Sequence, residues 1–136
     1  MPEPGGETAS RTMPTVLIVD DSTVVRGRLT SMLEEVPGVT VVGGVGTVET
    51  AKAALRRLHP DVVVLDLHLP DGSGINLLRH LSGWARRPRM IVLTNLPDAQ
   101  YRDACLEAGA ELFLDKSTEF EKVAEALRPR RGRKGP

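Results

Sequence analysis

The chain has 136 residues with 18 basic and 18 acidic side chains, so its formal net charge at pH 7 is zero. A balanced charge excludes a field of one sign over the whole surface that would attract nucleic acid or an anionic membrane. The single cysteine, Cys105, excludes an intrachain disulfide and a cysteine-based zinc site, and we expect it to pack in the core. The length predicts one compact domain.

The two ends of the chain differ in composition from the rest. Met1–Met13 is rich in Pro, Gly and Glu, and Arg128–Pro136 is basic with Pro and Gly, so we predict disordered tails around a domain spanning 14–127. The apolar runs are too short to span a bilayer, and the start lacks the apolar core of a secretory signal, so a cytoplasmic location without a membrane span is expected. For the basic tail, solvation is favoured over phosphate contacts, and no specific DNA binding is expected.

Short β-branched runs alternate with segments of helical period along the predicted domain. Strands are predicted at Thr15–Val19, Val39–Val42, Asp61–Leu65, Met90–Leu93 and Leu112–Leu114. Helices are predicted from the apolar stripes Val25–Val36, Val48–Leu58, Ile75–Leu81, Tyr101–Ala108 and Phe120–Leu127. This alternation predicts an α/β fold, a doubly wound parallel sheet with helices on both faces.

Turn and capping signals agree with these boundaries. Pro37-Gly38 and Gly109 fall where helices should stop, and Asp98 is a candidate N-cap. Thr118 and Glu121 have the spacing of a capping box. The segment Gly43–Gly46 predicts a flexible exit from the second strand, because glycine adopts backbone angles closed to other residues.

Acidic side chains follow directly after several of the apolar runs. Asp20 and Asp21 end the first run, and Asp66 ends the third. In an open α/β sheet, ligands bind beyond the carboxyl ends of the strands. If the first and third strands are neighbours, the three carboxylates converge, and their repulsion favours a hard cation such as Mg²⁺. Each aspartate alone is as readily a turn residue or a helix N-cap, and only their conjunction favours a site.

Two further polar residues extend the pattern beyond a metal site. Thr94 ends the fourth run, and Lys116 follows the fifth. Phosphoryl transfer to a carboxylate needs a metal together with donors that stabilise charge on the transferred oxygens, and a hydroxyl and an ammonium supply them. In this interpretation Asp66 is the nucleophile.

Four motifs in this order resemble the receiver domain of two-component response regulators. They are VLIVDDS at Val16–Ser22, DVVVLDLHLPDGSG at Asp61–Gly74, IVLT at Ile91–Thr94 and GAELFLDK at Gly109–Lys116. The resemblance implies a flavodoxin-like (βα)5 fold with strand order 2-1-3-4-5.

The resemblance also implies roles for the acidic residues. Asp66 would accept a phosphoryl group from the phosphohistidine of a histidine kinase or histidine phosphotransfer protein. Asp21, Asp66 and the backbone carbonyl of His68 would bind Mg²⁺, and Asp20 would act through a bound water.

Three further residues match the family's switching machinery. The resemblance implies that Thr94 is the switch hydroxyl, Lys116 the lysine that contacts phosphate, and Phe113 the switch aromatic. An apolar residue in a last strand is ordinarily core, and only the resemblance favours the switch role for Phe113. Asn95 departs from the family, in which a small residue is usual, so the resemblance implies no particular rate of dephosphorylation.

The expected protein is a signalling module and not an enzyme, apart from its own phosphorylation and dephosphorylation. Its target would be a downstream protein of unknown identity. One alternative is a haloacid-dehalogenase-like, Mg²⁺-dependent phosphatase, which also uses a strand-end aspartate; such enzymes carry a second aspartate two residues later, where this chain has His68. A phosphate sink and an unphosphorylated scaffold are further alternatives that the sequence leaves open.

Overall fold

The computed structural model describes residues 13–95 and 99–129. Most of both predicted tails and the predicted N-cap Asp98 lie outside the described residues. Five strands form one sheet: β1 (Thr15–Val19), β2 (Thr40–Val45), β3 (Val62–Leu65), β4 (Arg89–Thr94) and β5 (Leu112–Asp115). Every neighbouring pair is parallel, and the spatial order is 2-1-3-4-5. The predicted fold class and strand order are confirmed.

Helices follow the five strands in the predicted alternation. They are α1 (Thr23–Glu34), α2 (Val48–Leu58), α3 (Gly74–Leu81), α4 (Ala99–Glu107) and α5 (Lys122–Leu127). A short antiparallel hairpin of His68–Leu69 and Gly72–Ser73, which was not predicted, lies between β3 and α3.

The strand β3 is apolar at every position, and β1 is apolar from Val16 to Val19, because helices cover both faces of the sheet. In β1, Leu17 and Val19 belong to one buried cluster, which includes residues of α2, α3 and α4. Val16 and Ile18 belong to the other cluster, which includes residues of α1 and α5. All four side chains are fully buried. This two-sided packing holds the ends of the strands in fixed positions.

Two local predictions are confirmed. Gly109 lies just after the end of α4 and has a φ angle of 109°, in the left-handed region that favours glycine after a helix. The helix α1 already ends at Glu34, so Gly38, with a φ angle of 85°, belongs to the turn that follows and does not cap the helix. Cys105 is fully buried in the cluster between the sheet and α4. Burial raises the pKa of its thiol to about 11, so it is protonated at neutral pH and suited to packing.

Three local predictions are wrong. The β2 strand continues to Val45, so Gly43 and Gly44 lie within the sheet and are not a flexible exit. Tyr101 is 39% exposed and stands outside the buried stripe of α4. The N-cap residue of α5 is Glu121, and it makes no side-chain cap bond, so the capping box with Thr118 is absent.

Asp71 ties the loop after β3 to the N-terminus of α2. Its Oδ1 accepts a hydrogen bond from the Val48 amide at 2.7 Å, and its Oδ2 accepts one from the Glu49 amide at 3.0 Å. Orphan N–H groups and the dipole at a helix N-terminus both favour a carboxylate there. These two backbone hydrogen bonds lower the pKa of Asp71 below its ordinary value of 3.8.

We expect Asp71 to contribute stability that depends on pH. Because its pKa is lower in the folded than in the unfolded protein, the contribution is complete above pH 3.8 and is lost as the pH falls through the folded-state value. The difference in free energy of unfolding between wild type and Asp71→Ala, measured with urea, should therefore be larger at pH 7 than at pH 3. A difference that is independent of pH would show that the charge of Asp71 has no part in the cap.

Gly74, the first residue of α3, touches the backbone that carries Asp66. A Cβ atom at Gly74 would lie 2.6 Å from the Asp66 carbonyl oxygen and 3.0 Å from the Leu67 Cα atom. Backbone atoms yield less readily than a flexible side chain, so we expect Gly74→Ala to lower the free energy of unfolding by about 1–3 kcal/mol. Urea denaturation followed by circular dichroism measures this.

Gly27 provides the matched control for this prediction. It lies within α1, and a Cβ atom there would meet no heavy atom within 4 Å. Replacing glycine by alanine inside a helix reduces the entropy lost on folding, so Gly27→Ala should raise the free energy of unfolding by about 0.5–1 kcal/mol. Equal stability of the two variants would contradict the close approach at Gly74.

Candidate functional site

The acidic cluster is formed because backbone pairing continues one residue beyond the strand ends. The amide of Asp66 donates to the Val19 carbonyl at 2.9 Å, and the amide of Asp20 donates to the Val45 carbonyl at 2.9 Å. The strands β1 and β3 are direct neighbours, with Val19 opposite Leu65. Asp20 and Asp66 therefore lie side by side at the carboxyl edge of the sheet, as the sequence predicted.

Lys116 joins both carboxylates from the end of β5. Its Nζ atom lies 2.7 Å from Asp20 Oδ2 and 3.2 Å from Asp66 Oδ2. Its backbone amide donates to the Thr94 carbonyl at 2.8 Å, which fixes the start of the side chain. Asp20 and Asp66 are only 3% and 8% exposed. The ammonium therefore offsets two nearly buried negative charges.

The charges in this cluster shift one another's protonation. Burial raises the pKa of Asp66, and the charge of Lys116 lowers it only partly, while the charge of Asp20 raises it further. Burial by itself would lower the pKa of Lys116, but the hydrogen bonds and charges of Asp20 and Asp66 outweigh it, and the pKa stands above its ordinary value. Lys116 is therefore charged at neutral pH.

Three carboxylates are close enough to share one metal ion. Oxygen atoms of Asp20, Asp21 and Asp66 all lie within 4.8 Å of one another, and Asp21 is exposed. The Lys116 ammonium bonds two of these three acids, so the cluster keeps excess negative charge, and carboxylate oxygens are the donors that Mg²⁺ prefers. This donor set fits the predicted ion, and its binding remains a prediction.

Asp20 differs from the other two acids because both of its oxygens already have partners. Its Oδ1 accepts from the Ser22 amide at 2.9 Å, and its Oδ2 accepts from Lys116. The exposed Asp21 has the more accessible carboxylate. This division fits the prediction that Asp21 binds the ion directly and Asp20 acts through a water.

The remaining predicted site residues occupy three different environments. Thr94 is fully buried at the end of β4, next to β3, and pairs in the sheet with Asp115. Phe113 is 6% exposed and packs in the core cluster that includes Cys105. The side chain of His68 is exposed, and its amide lies 3.4 Å from Asp66 Oδ1. The switch roles of Thr94 and Phe113 and the metal-binding role of the His68 carbonyl remain predictions.

Two residues beside the site were missed by the sequence interpretation. Ser22 caps α1, and its side chain accepts from the Val25 amide at 3.2 Å while its own amide holds Asp20. A serine directly before a segment with helical periodicity is an N-cap signal, so the capping role of Ser22 could have been predicted from the sequence. Arg26 donates to the Asp20 carbonyl oxygen at 2.6 Å, and no periodicity of the sequence indicates this contact.

The fold and the cluster together define a flavodoxin-like α/β protein with an acidic site, closed by a lysine, at the carboxyl edge of its sheet. The chain matches the family model of the response regulator receiver domain over residues 16–128, and it belongs to that family. The family predicted from the four motifs is confirmed.

Relatives with this domain have different overall activities. The chain is 39% identical over 117 residues to the DNA-binding transcriptional activator DevR/DosR of Mycobacterium tuberculosis, covering 85% of this chain and 54% of the relative. It is 38% identical over 96 residues to a protein-glutamate methylesterase/protein-glutamine glutaminase of Rhizobium etli, covering 70% of this chain and 28% of the relative. The chain thus spans about half or less of the length of these curated relatives.

Solved structures support the same fold. The response regulator domain of Thermotoga maritima CheB superposes with a TM-score of 0.74 at 30% identity, covering 85% of this chain and 90% of that one. The receiver domain of the NarL response regulator from Mycobacterium tuberculosis gives a TM-score of 0.77 at 22% identity, covering 84% of this chain and 92% of that one.

Among the residues that the structure describes, no helix combines the length and apolar character needed to cross a membrane.

The nearly buried carboxylate of Asp66 leads to a prediction about stability. Burial raises the pKa of Asp66 in the folded protein above its ordinary value of 3.8. The contribution of Asp66 to the free energy of unfolding is therefore most favourable below pH 3.8, and it falls as the pH rises through the folded-state pKa. Asp66→Asn should therefore have a higher thermal midpoint than wild type at pH 7 in metal-free buffer, and the difference should shrink toward pH 4. Asp103→Asn, an exposed position on α4, should leave the midpoint unchanged. A lower midpoint for Asp66→Asn would show that the attraction to Lys116 outweighs the burial of the carboxylate.

Proposed function

We propose that this chain is the phosphoacceptor of a two-component phosphorelay. Asp66 takes a phosphoryl group from the phosphohistidine of a histidine kinase or a histidine phosphotransfer protein. The observation that carries the proposal is the joint placement of Asp20, Asp66 and Lys116 within hydrogen-bond distance at the carboxyl edge of the sheet. A structural ion pair would need one acid for one lysine, whereas here two nearly buried acids share one ammonium and an exposed third acid, Asp21, lies within reach of the same metal ion.

The transfer is a substitution at phosphorus. An oxygen of the ionised Asp66 carboxylate forms the new P–O bond, the P–N bond to the donor histidine breaks, and the leaving imidazole keeps the electron pair and takes up a proton. Asp20, Asp21, Asp66 and the His68 carbonyl would hold Mg²⁺, which when bound neutralises charge on the phosphoryl oxygens. Lys116 contributes a second positive charge, already 3.2 Å from Asp66 Oδ2.

Phosphorylation would then rearrange the contacts of Lys116 and Thr94. A phosphoryl group brings about −1.5 to −2 charges and three acceptor oxygens, and these compete with Asp20 for the ammonium. Thr94 lies at the end of the neighbouring strand, and its hydroxyl is the donor we assign to the phosphoryl group. Phe113 packs in the core cluster next to α4, so a shift at the end of β4 alters the packing beneath that helix.

The proposed output is the binding of a downstream protein, and not turnover of a separate substrate. The relatives include a DNA-binding activator and a methylesterase, so the receiver module occurs with more than one kind of output. No described feature favours the phosphatase alternative, since the second residue after Asp66 is the exposed His68 and not a carboxylate.

Phosphorylation of the purified protein tests the proposal directly. With Mg²⁺ and acetyl phosphate, intact mass spectrometry should show one added phosphoryl group on wild type and none on Asp66→Asn, because the amide is a poor nucleophile. Chelation of Mg²⁺ with EDTA should reduce the modified fraction at least about 10-fold, as expected for a metal that stabilises transferred charge.

The exposed Asp103→Asn variant is the matched control and should be modified like wild type. Addition of phosphate to Asp66→Asn would refute Asp66 as the acceptor. No addition to wild type would refute the phosphoacceptor function and direct attention to Asn95, which is exposed directly after Thr94. Rapid hydrolysis of p-nitrophenyl phosphate would support the phosphatase alternative instead.

A further inference from the structure

Arg26 of α1 lies against the backbone that carries two of the three clustered acids. Its Nη1 atom donates to the Asp20 carbonyl oxygen at 2.6 Å. Asp20 is only 3% exposed, so this carbonyl is largely shielded from water, and Arg26 is the donor that the structure gives it. A shielded carbonyl without a hydrogen-bond partner is unfavourable, so this contact constrains the end of β1.

Gly44 in β2 and Gly46 directly after this strand make room for the Arg26 side chain. A Cβ atom at Gly44 would lie 3.1 Å from Arg26 Cδ. At Gly46 it would lie 3.2 Å from Arg26 Nη1 and 3.3 Å from the Asp21 Cα atom. The arginine, the end of β2 and the peptide that joins Asp20 to Asp21 therefore pack closely together. This packing is independent of the hydrogen bond and indicates the same role.

The Arg26 guanidinium donates to a backbone carbonyl and forms no ion pair with an acidic side chain among the described residues. Among the described residues, the ion pairs are those of Arg89, Lys116 and Lys122, and none includes Arg26. Because its guanidinium bonds the Asp20 carbonyl, Arg26 fixes the direction of the chain at that point. The chain at that point carries two consecutive predicted metal ligands.

We infer that Arg26 is a positioning residue for the proposed metal site. By holding the Asp20 carbonyl, it sets the peptide between Asp20 and Asp21 so that both carboxylates reach the oxygen cluster. It acts through this peptide and contacts neither the phosphoryl group nor the ion. The inference rests on the proposed function, because it requires the cluster to bind Mg²⁺.

Binding of Mg²⁺ alone, without phosphorylation, tests this role. The ¹⁵N-labelled protein is titrated with MgCl₂, and the amide shifts of Asp20, Asp21 and Asp66 are followed by two-dimensional NMR. Groups that orient metal ligands typically contribute about 10–100-fold to metal affinity, so Arg26→Met should raise the dissociation constant about 10-fold. Arg26→Lys should recover most of the affinity, because an ammonium can still donate to the carbonyl.

The charge effect of the substitution has the opposite sign and makes the result decisive. Removing a positive charge near the cluster would by itself strengthen Mg²⁺ binding. Weaker binding in Arg26→Met therefore reports lost positioning, and equal or stronger binding overturns the inference. Arg28→Met is the matched control, since it removes the same side chain two residues later, where the guanidinium lies 4.3 Å from the Phe120 ring; its Mg²⁺ affinity should equal that of wild type.

A second variant keeps the test valid if Arg26→Met does not fold. Gly44→Ala retains the arginine and its charge but crowds its Cδ atom, and it should weaken Mg²⁺ binding in the same direction. If Gly44→Ala, and Arg26→Met where it folds, bind Mg²⁺ as tightly as wild type, the positioning role of Arg26 is overturned. The proposed metal site would stand in that case. The absence of saturable shifts in wild type would instead refute the metal site of the proposed function.

Discussion

Repulsion between carboxylates held at the ends of adjacent parallel strands is the constraint on which this structure depends. Backbone hydrogen bonds to Val45 and Val19 place Asp20 and Asp66 side by side, so their backbones cannot separate without breaking these bonds. Their charges are tolerated because the Lys116 ammonium bonds both. The site therefore holds two nearly buried negative charges against one ammonium, and a cation or phosphoryl group that enters changes this balance.

The sheet can hold such a site because its interior is rigid. The central strands bury both faces under helices, so the strand ends have little freedom to relax away from one another. The loops around the site are held as well: Asp71 joins the loop after β3 to α2, and Gly74 places α3 against the Asp66 carbonyl. The packing of the core thus stabilises the domain against the unfavourable clustering of the buried carboxylates.

The sequence predicted the features that depend on period and chain direction. Continuous apolar runs such as Val16–Val19 identified buried parallel strands, and their order followed from the family resemblance, which the sheet confirms. The convergence of Asp20, Asp66 and Lys116 could be predicted because all three directly follow strands. Contacts between distant loops could not, because a single sequence has no periodic signal for them. Arg26 on the Asp20 carbonyl and Asp71 on α2 belong to this group, and glycines within β2 were misread because Gly usually marks a turn.

The two arginines of α1 have a consequence for how this helix is held. Arg26 reaches the end of the sheet, whereas Arg28, about 200° further around the helix, lies over the Phe120 ring ahead of α5. The two contacts act on opposite flanks, so α1 cannot roll about its long axis without losing one of them. The contact at the acidic edge therefore sets the rotation of α1 about its own axis. A change in that rotation would move Arg28 relative to Phe120, just before α5 begins.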